Sequence, residues 1–301
     1  LNPYYREYSD YLRDTFGEGK FQKITINIGL GCPNRDGTTG RGGCTYCNNA
    51  AFSPAFASAR KSVSQQIADG KEFFKKKYPT MRYMAYFQSY TSTHGDIDAV
   101  MALYEEAMAD SEVVGIIIGT RPDCVTDELL DRLAAINGDK RVMIEFGAES
   151  THDATLAFVN RCHTWADTVD AVMRCARRGI STGLHFILGL PGEDRAMMLQ
   201  TVERINALPV DTVKFHQLQI VRGTRMAADI ESGLYAVRTF DVDEYIDLCC
   251  DIVARLRRDI AIERFVSQSP DTLLIAPRWG LKNYEFTAKL QRALKNRITN
   301  Q

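Results

Sequence analysis

Six short apolar runs, rich in Val, Ile and aromatic residues, alternate along this chain with longer stretches of helical periodicity. That alternation constrains the fold more than any other feature. The runs are FQKITINIGL from Phe21, MRYMAYFQ from Met81, VVGIIIGT from Val113, RVMIEFGAES from Arg141, ISTGLHFILGL from Ile180 and DTVKFHQLQI from Asp211. Helices are expected near Ser62–Lys77, over Asp96–Asp110, from Thr126 as N-cap, over Thr164–Gly179 with Gly179 as the stop, and over Asp194–Leu208. Strand–helix alternation implies parallel strands joined by right-handed crossovers. Polar and glycine signals cluster just after the strands, at Cys32, Gln88, GTRPD, GAES, GLPGE and RGT. In barrels of this type the chemistry sits at the C-terminal strand ends, so the recurrence favours a barrel-like curl over a flat sheet.

After Arg225 the pattern changes to a helix around Asp243–Arg258, an apolar run IAIERF and a basic helical tail from Lys282. The expected organisation is an N-terminal segment over residues 1–20, a barrel over 21–225, and a C-terminal extension over 226–301 packed on it as one domain. At 301 residues, with 45% apolar and 25% charged side chains, the chain can bury a substantial core. A net charge of −1 argues against indiscriminate nucleic-acid binding but leaves room for a local basic groove. No run reaches the ~18 apolar residues of a membrane span. The polar, aromatic start is unlike a signal peptide. Eight sparse cysteines, three of them clustered, fit metal binding in a reducing cytoplasm better than a secreted disulfide framework.

The clustered three are Cys32, Cys44 and Cys47, spaced C-x11-C-x2-C after the first strand. Three readings of them stand. A structural zinc site needs a fourth Cys or His, and His94 and Cys124 are the next candidates along the chain. Three unrelated buried thiols is the second. The third is an iron–sulfur cluster held on three irons, with one iron open to an exogenous ligand. Gly37, Gly40, Gly42 and Gly43 between the first two cysteines let backbone amides approach cluster sulfurs. For Cys124, Cys162, Cys175, Cys249 and Cys250 a buried structural thiol is expected.

The cysteine trio, with Tyr46 inside the C-x2-C pair, resembles the radical S-adenosylmethionine (SAM) enzymes. The x11 spacing is similar to the YhcC-like branch, related to the Elongator catalytic subunit; the usual first spacing is three. The resemblance runs over nearly the whole chain. It implies a fold, an α/β partial (βα)6 barrel with a C-terminal α/β extension, and two cofactors, a 4Fe-4S cluster and S-adenosylmethionine, whose amino and carboxylate groups chelate the open iron. It also implies roles for later motifs. In YFQSYT, Gln88, Ser89 and Tyr90 replace the usual Gly-Gly-Glu that contacts the amino group; an ordinary strand-end turn is the alternative. In GTRPD, Thr120 and Arg121 line the pocket, or Pro122 simply ends the strand. In EFGAES, Glu149 meets the ribose, and Arg161, twelve residues on, pairs with the cofactor carboxylate, or is a surface charge at a helix end. Glu145 shares Glu149's strand face and, if buried, needs a partner. In GLHFILGLPGED, His185 takes a ribose-contacting place, or is a satisfied core histidine, and the backbone near Ile187–Leu188 meets adenine. Gln219 and Arg222 are weaker candidates. GLPGE lacks the GK[ST] ending of a phosphate loop. Cys162 stands where relatives show Gly.

The activity implied is reductive cleavage of S-adenosylmethionine to methionine and a 5'-deoxyadenosyl radical, driven by an external one-electron reductant of flavodoxin or ferredoxin type. The substrate implied is transfer RNA, with the radical remodelling a wobble-uridine side chain from carboxymethylaminomethyl to aminomethyl type. The runs KEFFKKKYP, RCARRG, RLRRD and KLQRALKNR would then form basic patches for phosphate, unless they are solvated helix faces. Two other functions fit the sequence. One is a radical enzyme acting on a small metabolite or peptide. The other is a non-catalytic iron–sulfur or zinc protein that senses or binds RNA.

Overall fold

The structure, a computed structural model, describes residues 2–49, 54, 56–75 and 80–299. The chain runs α1 (Tyr8–Phe16), β1 (Phe21–Ile26), α2 (Pro33–Asp36), α3 (Val63–Lys75), β2 (Arg82–Phe87), α4 (Ile97–Met108), β3 (Val113–Thr120) and α5 (Asp127–Ile136). It continues with β4 (Arg141–Glu149), α6 (Asp153–Phe158), α7 (Trp165–Arg177), β5 (Ser181–Leu188), α8 (Arg195–Asn206) and β6 (Thr212–Gln217). The remainder is β7 (Ile220–Val221), α9 (Arg225–Glu231), α10 (Val242–Arg255), β8 (Ala261–Arg264), β9 (Leu274–Ala276) and α11 (Asn283–Thr299).

All six expected strands form. A seventh, β8, joins them in a parallel sheet of order β1-β2-β3-β4-β5-β6-β8. The expected partial barrel of six βα strands with a C-terminal α/β extension thus stands, and the extension supplies the seventh strand. IAIERF lies beyond the repeating βα pattern, and its four-residue strand is fixed by pairing with β6 rather than by its own periodicity. Strands β7 and β9 make a separate antiparallel pair.

The sheet is curled. Its convex face carries Ile24, Phe87, Ile118, Ile144, Phe186 and Phe215 into the main core against the helices. Each such side chain contributes about 1.5–3 kcal/mol by leaving water. On the concave face Met84, Tyr86, Ile117, Met143 and Ala261 meet Tyr11 and Leu12 of α1. The N-terminal segment is thus a plug at the base of the half-barrel. Above it, charges from four strands meet: Lys23 of β1, Glu145 of β4, Lys214 of β6 and Glu263 of β8. Lys23 and Lys214 each lie 2.8 Å from Glu145, and Lys214 lies 3.1 Å from Glu263. Lys23 also pairs with Glu263, so first and last strands of the sheet are bridged. A flat sheet of seven strands at ~4.8 Å spacing could not bring them together.

The crossover helices start on caps that the sequence spells out. Asp96, Thr126, Thr164 and Asp194 each accept a hydrogen bond from the backbone N–H three residues on, worth about 1 kcal/mol apiece. Gly179 follows the last turn of α7 at φ +66° and ends it as expected. Cys175, Cys249 and Cys250 are buried, as expected. Cys162 is exposed and Cys124 half-buried, contrary to that expectation, because Cys162 lies in a loop and Cys124 ends the 3-10 turn Pro122–Cys124 after β3, rather than in α-helices packed on the sheet.

Candidate active site

A pocket opens at the C-terminal ends of the strands. It collects Cys32, Cys44 and Cys47 with Tyr46, Gln88, Thr120, Arg121, Glu145, Glu149, Arg161, His185 and Gln219. Nearly every site residue read from the sequence is therefore brought to one cavity. Ser89 and Leu188 are buried outside its lining, where Tyr90 and Ile187 take their places. The Leu188 side chain belongs to the convex core, and its carbonyl accepts from the Leu218 N–H at 2.8 Å. Gln219 lines the pocket, but its amide donates to the Ser267 carbonyl and accepts from Ser269, so it clasps the loop after β8. Arg222 donates its backbone N–H to Leu273 and is absent from the lining.

The cysteine loop is sewn to two others. Cys32 precedes α2, and the Thr45 N–H donates to Val159 at 3.0 Å. The Asn160 amide donates to the Arg41 and Gly43 carbonyls. The Met226 N–H donates to Thr45. Gly42 and Gly43 both sit at positive φ, +83° and +77°, where a side chain would be strained. The two candidate fourth ligands are elsewhere. His94 is 2.7 Å from Asp36, and Cys124 contacts Asp123; neither lines the pocket. Burial, then the neighbouring Cys44 thiol, pushes the Cys47 thiol up to about 11.

Arg161 is the buried centre of the wall. Its Nε donates to His163 Nε2 at 2.9 Å, Nη2 donates to the Gly147 carbonyl, and Nη1 lies 3.5 Å from the Cys44 sulfur. His163 can accept because its Nδ1 donates to the Thr164 carbonyl. Glu149 stands 3.8 Å from Arg161 at the register slip that ends β4. Burial raises its pKa, and Arg161 and Arg121 only partly offset this. Gly147 is required between them: a Cβ there would lie 2.6 Å from Glu149 Oε1 and 2.8 Å from Arg161 Nη2. Among the described residues, four that are not glycine occupy the left-handed region: Tyr90, Glu149, Asn160 and Cys162. Two line the pocket and two flank Arg161, the kind of place where backbone strain of about 1–3 kcal/mol accumulates.

Glu145 has the partners its burial demands. Burial opposes its charge, but Lys214 and Lys23 outweigh that and hold it well below the usual carboxylate range. His185 and His216 stack with centroids 4.7 Å apart. Burial and then Arg264 lower His216 to about 3, and burial and then His216 hold His185 well below the usual imidazole range. Tyr86, His216 and Arg264 also line the pocket and were missed in the sequence. A period-two polar stripe, Lys214–His216 in an otherwise apolar strand, was the signal available.

The cluster and S-adenosylmethionine implied by the cysteine motif can be tested against this lining. Three thiols supply the donors. Tyr46 Oη, Thr91 Oγ1, Arg121 Nη1, His185 Nε2 and Arg264 Nε are buried without a hydrogen-bond partner, and all five side chains line the pocket. Such orphans are costly unless a polar ligand meets them. The lining therefore fits a polar, charged molecule beside a thiolate-held cluster.

The basic runs fit less well with an RNA groove. Arg174 pairs with Asp127 and Asp170, and Arg178 with Asp127 and Asp131. Arg257 pairs with Asp259, and Arg297 with Asp247 and Asp251. Lys71 pairs with Asp110 and Glu112, while the last residues of that run, 76–79, lie outside the described residues. Among the described residues, no helix is long and apolar enough to cross a membrane.

Comparison with known proteins agrees with the fold and the cysteine motif. The profile of the Radical SAM superfamily matches residues 26–205, and that of the Radical_SAM C-terminal domain matches 210–296. YhcC of Escherichia coli is 35% identical over 276 residues, covering 91% of this chain and 87% of its own. A tRNA uridine(34) acetyltransferase of Methanocaldococcus jannaschii is 25% identical over 171 residues, 56% of this chain and 30% of its own. The solved Elp3 structure of Methanocaldococcus infernus superimposes with a TM-score of 0.69 at 14% identity, over 93% of this chain and 63% of that one. This chain thus spans less than two-thirds of the Elp3 chain, and at that identity the likeness shows the fold alone. The chain belongs to the radical SAM superfamily, whose members use a 4Fe-4S cluster and S-adenosylmethionine and draw on an external reductant.

Proposed function

We propose that this enzyme remodels the side chain of a modified wobble uridine in transfer RNA, taking a carboxymethylaminomethyl substituent to the aminomethyl type. The carboxymethyl CH2 loses a hydrogen atom and then one electron, an oxidation matched by cleavage of S-adenosylmethionine, and water hydrolyses the resulting imine, breaking the carbon–nitrogen bond to leave the free amine and release glyoxylate. The observation that carries the reading is the likeness to a tRNA uridine(34) acetyltransferase over 56% of this chain, supported by a strand-end pocket of the kind that binds small polar groups. Cys32, Cys44 and Cys47 hold the cluster. Arg161, kept in place by His163 and the Gly147 carbonyl, would hold the cofactor carboxylate, and Glu149 would accept from the ribose hydroxyls. Gln88, Thr120, Tyr46 and His185 supply further polar contacts. When bound, the cofactors supply one-electron cleavage of a carbon–sulfur bond coupled to hydrogen abstraction from an unactivated carbon. The protein's part is to orient the substrate carbon, to exclude water, and to keep buried charges satisfied.

The test is anaerobic incubation of the reconstituted full chain with S-adenosylmethionine, dithionite and an anticodon stem–loop RNA bearing 5-carboxymethylaminomethyluridine. Mass spectrometry of the digested RNA should show 5-aminomethyluridine appearing with 5'-deoxyadenosine. Cofactor cleavage with an unchanged nucleoside would reject the RNA substrate and leave the superfamily chemistry standing. The acids that neutralise the basic runs favour a second reading, a small acidic metabolite or peptide. That reading gains if the stem–loop fails to bind even at low salt.

A further inference from the structure

Strand β8 does not alternate regularly. Its register with β6 runs Thr212↔Ala261 and Val213↔Ile262, then slips so that Lys214 faces Arg264. Ala261 packs on the concave face and Ile262 in the convex core. Glu263 then points inward to Lys23 and Lys214. In a regular strand Arg264 would point out to the helices. The extra residue of the bulge turns it inward instead, into the pocket lining, and Phe265 resumes the convex side. Bulges beside active sites commonly re-aim one side chain in this way.

Four guanidinium groups line this pocket, and three are engaged. Arg121 makes a two-pronged pair with Asp123, at 2.9 and 2.8 Å. Arg161 is tied to His163 and the Gly147 carbonyl, with Glu149 at 3.8 Å. Arg35 donates to the Cys47 carbonyl and lies over the Tyr90 ring. Arg264 is half-buried, and among the described residues it makes no ion pair and no hydrogen bond; its Nε is buried without a partner. Among the described residues no carboxylate pairs with it, and the adjoining Glu263 is taken up by Lys23 and Lys214. Lys214 is a cation already taken up by Glu145 and Glu263, and burial keeps His185 and His216 neutral. A guanidinium partly removed from water needs an anion to offset the loss of hydration. One uncompensated positive charge and a planar fork of donors match a single carboxylate.

We infer that Arg264 is the binding residue for a carboxylate carried by the substrate, and that it sets the preference for a carboxymethylaminomethyl over an aminomethyl side chain. The inference rests on the proposed substrate class. The same chemistry could be brought by the carboxylate of S-adenosylmethionine, for which Arg161 is the nearer candidate to the cysteines, being 3.5 Å from the Cys44 sulfur.

The experiment measures binding by the reconstituted full chain and its Arg264→Gln and Arg264→Lys variants. The probes are two anticodon stem–loop RNAs, one with 5-carboxymethylaminomethyluridine and one with 5-aminomethyluridine, and separately S-adenosylmethionine by calorimetry. The wild type should prefer the carboxylate-bearing RNA by about tenfold to a hundredfold, the range of one charge-assisted contact. Arg264→Gln should erase that preference, and Arg264→Lys should keep part of it, retaining charge without the fork. A preference that survives in both variants overturns the inference. So does a variant that weakens S-adenosylmethionine and leaves the RNA preference intact, since the anion is then the cofactor's. If the wild type shows no preference, the substrate reading itself fails and the inference falls with it; a wild-type preference that the variants keep removes the inference alone. Should Arg264→Gln not fold, the lysine variant still decides between charge and fork.

Discussion

Glu145 and Glu149 lie four residues apart on one strand, in two regions of opposite character. Around Glu145, Lys23, Lys214 and Glu263 complete a closed set of buried ion pairs, and the carboxyl is held well below its usual range. Around Glu149, burial wins over Arg161 and the pKa rises, while Tyr46, Thr91 and Arg121 keep buried polar atoms unpartnered. The lower region is finished by the chain alone. The upper one is finished only by what it binds. The difference locates the site without reference to any relative: polar groups left unsatisfied in a well-packed barrel mark where a ligand belongs.

The contrast can be broken in steps. Cys44→Ala acts wholly on the upper region. It should drop iron content and reduce 5'-deoxyadenosine formation to background, with little change in the far-ultraviolet circular dichroism; retained cleavage would remove Cys44 from the metal site. Lys214→Met acts on the lower region. It leaves two buried carboxylates sharing one lysine, and should cost about 3–5 kcal/mol in denaturant unfolding, as breaking buried pairs does. A loss under ~1 kcal/mol would mean the cluster is not the closed set described. Gly147→Ala touches only the wall. The new Cβ presses on the buried carboxylate of Glu149 and guanidinium of Arg161, so affinity for S-adenosylmethionine should fall about tenfold and stability should drop by about 1–3 kcal/mol.

The pH dependence separates the two glutamates by sign. The folded pKa of Glu145 is depressed, so its contribution to stability is present above the ordinary value of about 4.3 and is lost as pH falls through the depressed one. That of Glu149 is raised, so its contribution is present below about 4.3 and is lost as pH rises through the folded value. Glu149→Gln should therefore stabilise the cofactor-free protein at neutral pH relative to pH 4, by less than Lys214→Met destabilises it. A variant that is equally affected at both pH values would contradict the sign. The smallest effect is expected at Cys162, which holds φ +62° beside Arg161. Cys162→Gly should stabilise by about 1 kcal/mol, the ordinary penalty for a side chain in that region.

Much of the fold was legible because the signals are local. Thr126 before DELLDRL is a cap whatever surrounds it. VVGIIIGT is a strand because eight β-prone and glycine residues stand between turn signals, and the structure returns it with the same ends. Cys32, Cys44 and Cys47 were legible by spacing, and Glu149 and Arg161 by their place in a strand-end motif. Ser89 and Leu188 were placed one residue from the positions that face the pocket. At a strand end neighbouring residues point to opposite sides, and the exact register depends on the next strand. The plug α1 was missed because its apolar residues answer to the barrel base rather than to a long periodic face. The basic runs were read as exposed charge. Apart from Asp170, on the same helix as Arg174, the acids that neutralise Arg174, Arg178 and Arg297 come from other helices, up to 50 residues away along the chain.

By itself the sequence determined which segments are strands and helices, that the strands run parallel, and which three thiols converge. These follow from periodicity, caps and spacing, each an interaction within a few residues. Only the tertiary structure decided which charges cancel. The curl that carries β8 round to β1, and the one-residue slip that turns Arg264 inward, bring together groups more than 200 residues apart. A charge's energy depends on the distance to its partner and on the water between them, and neither is set until the sheet closes.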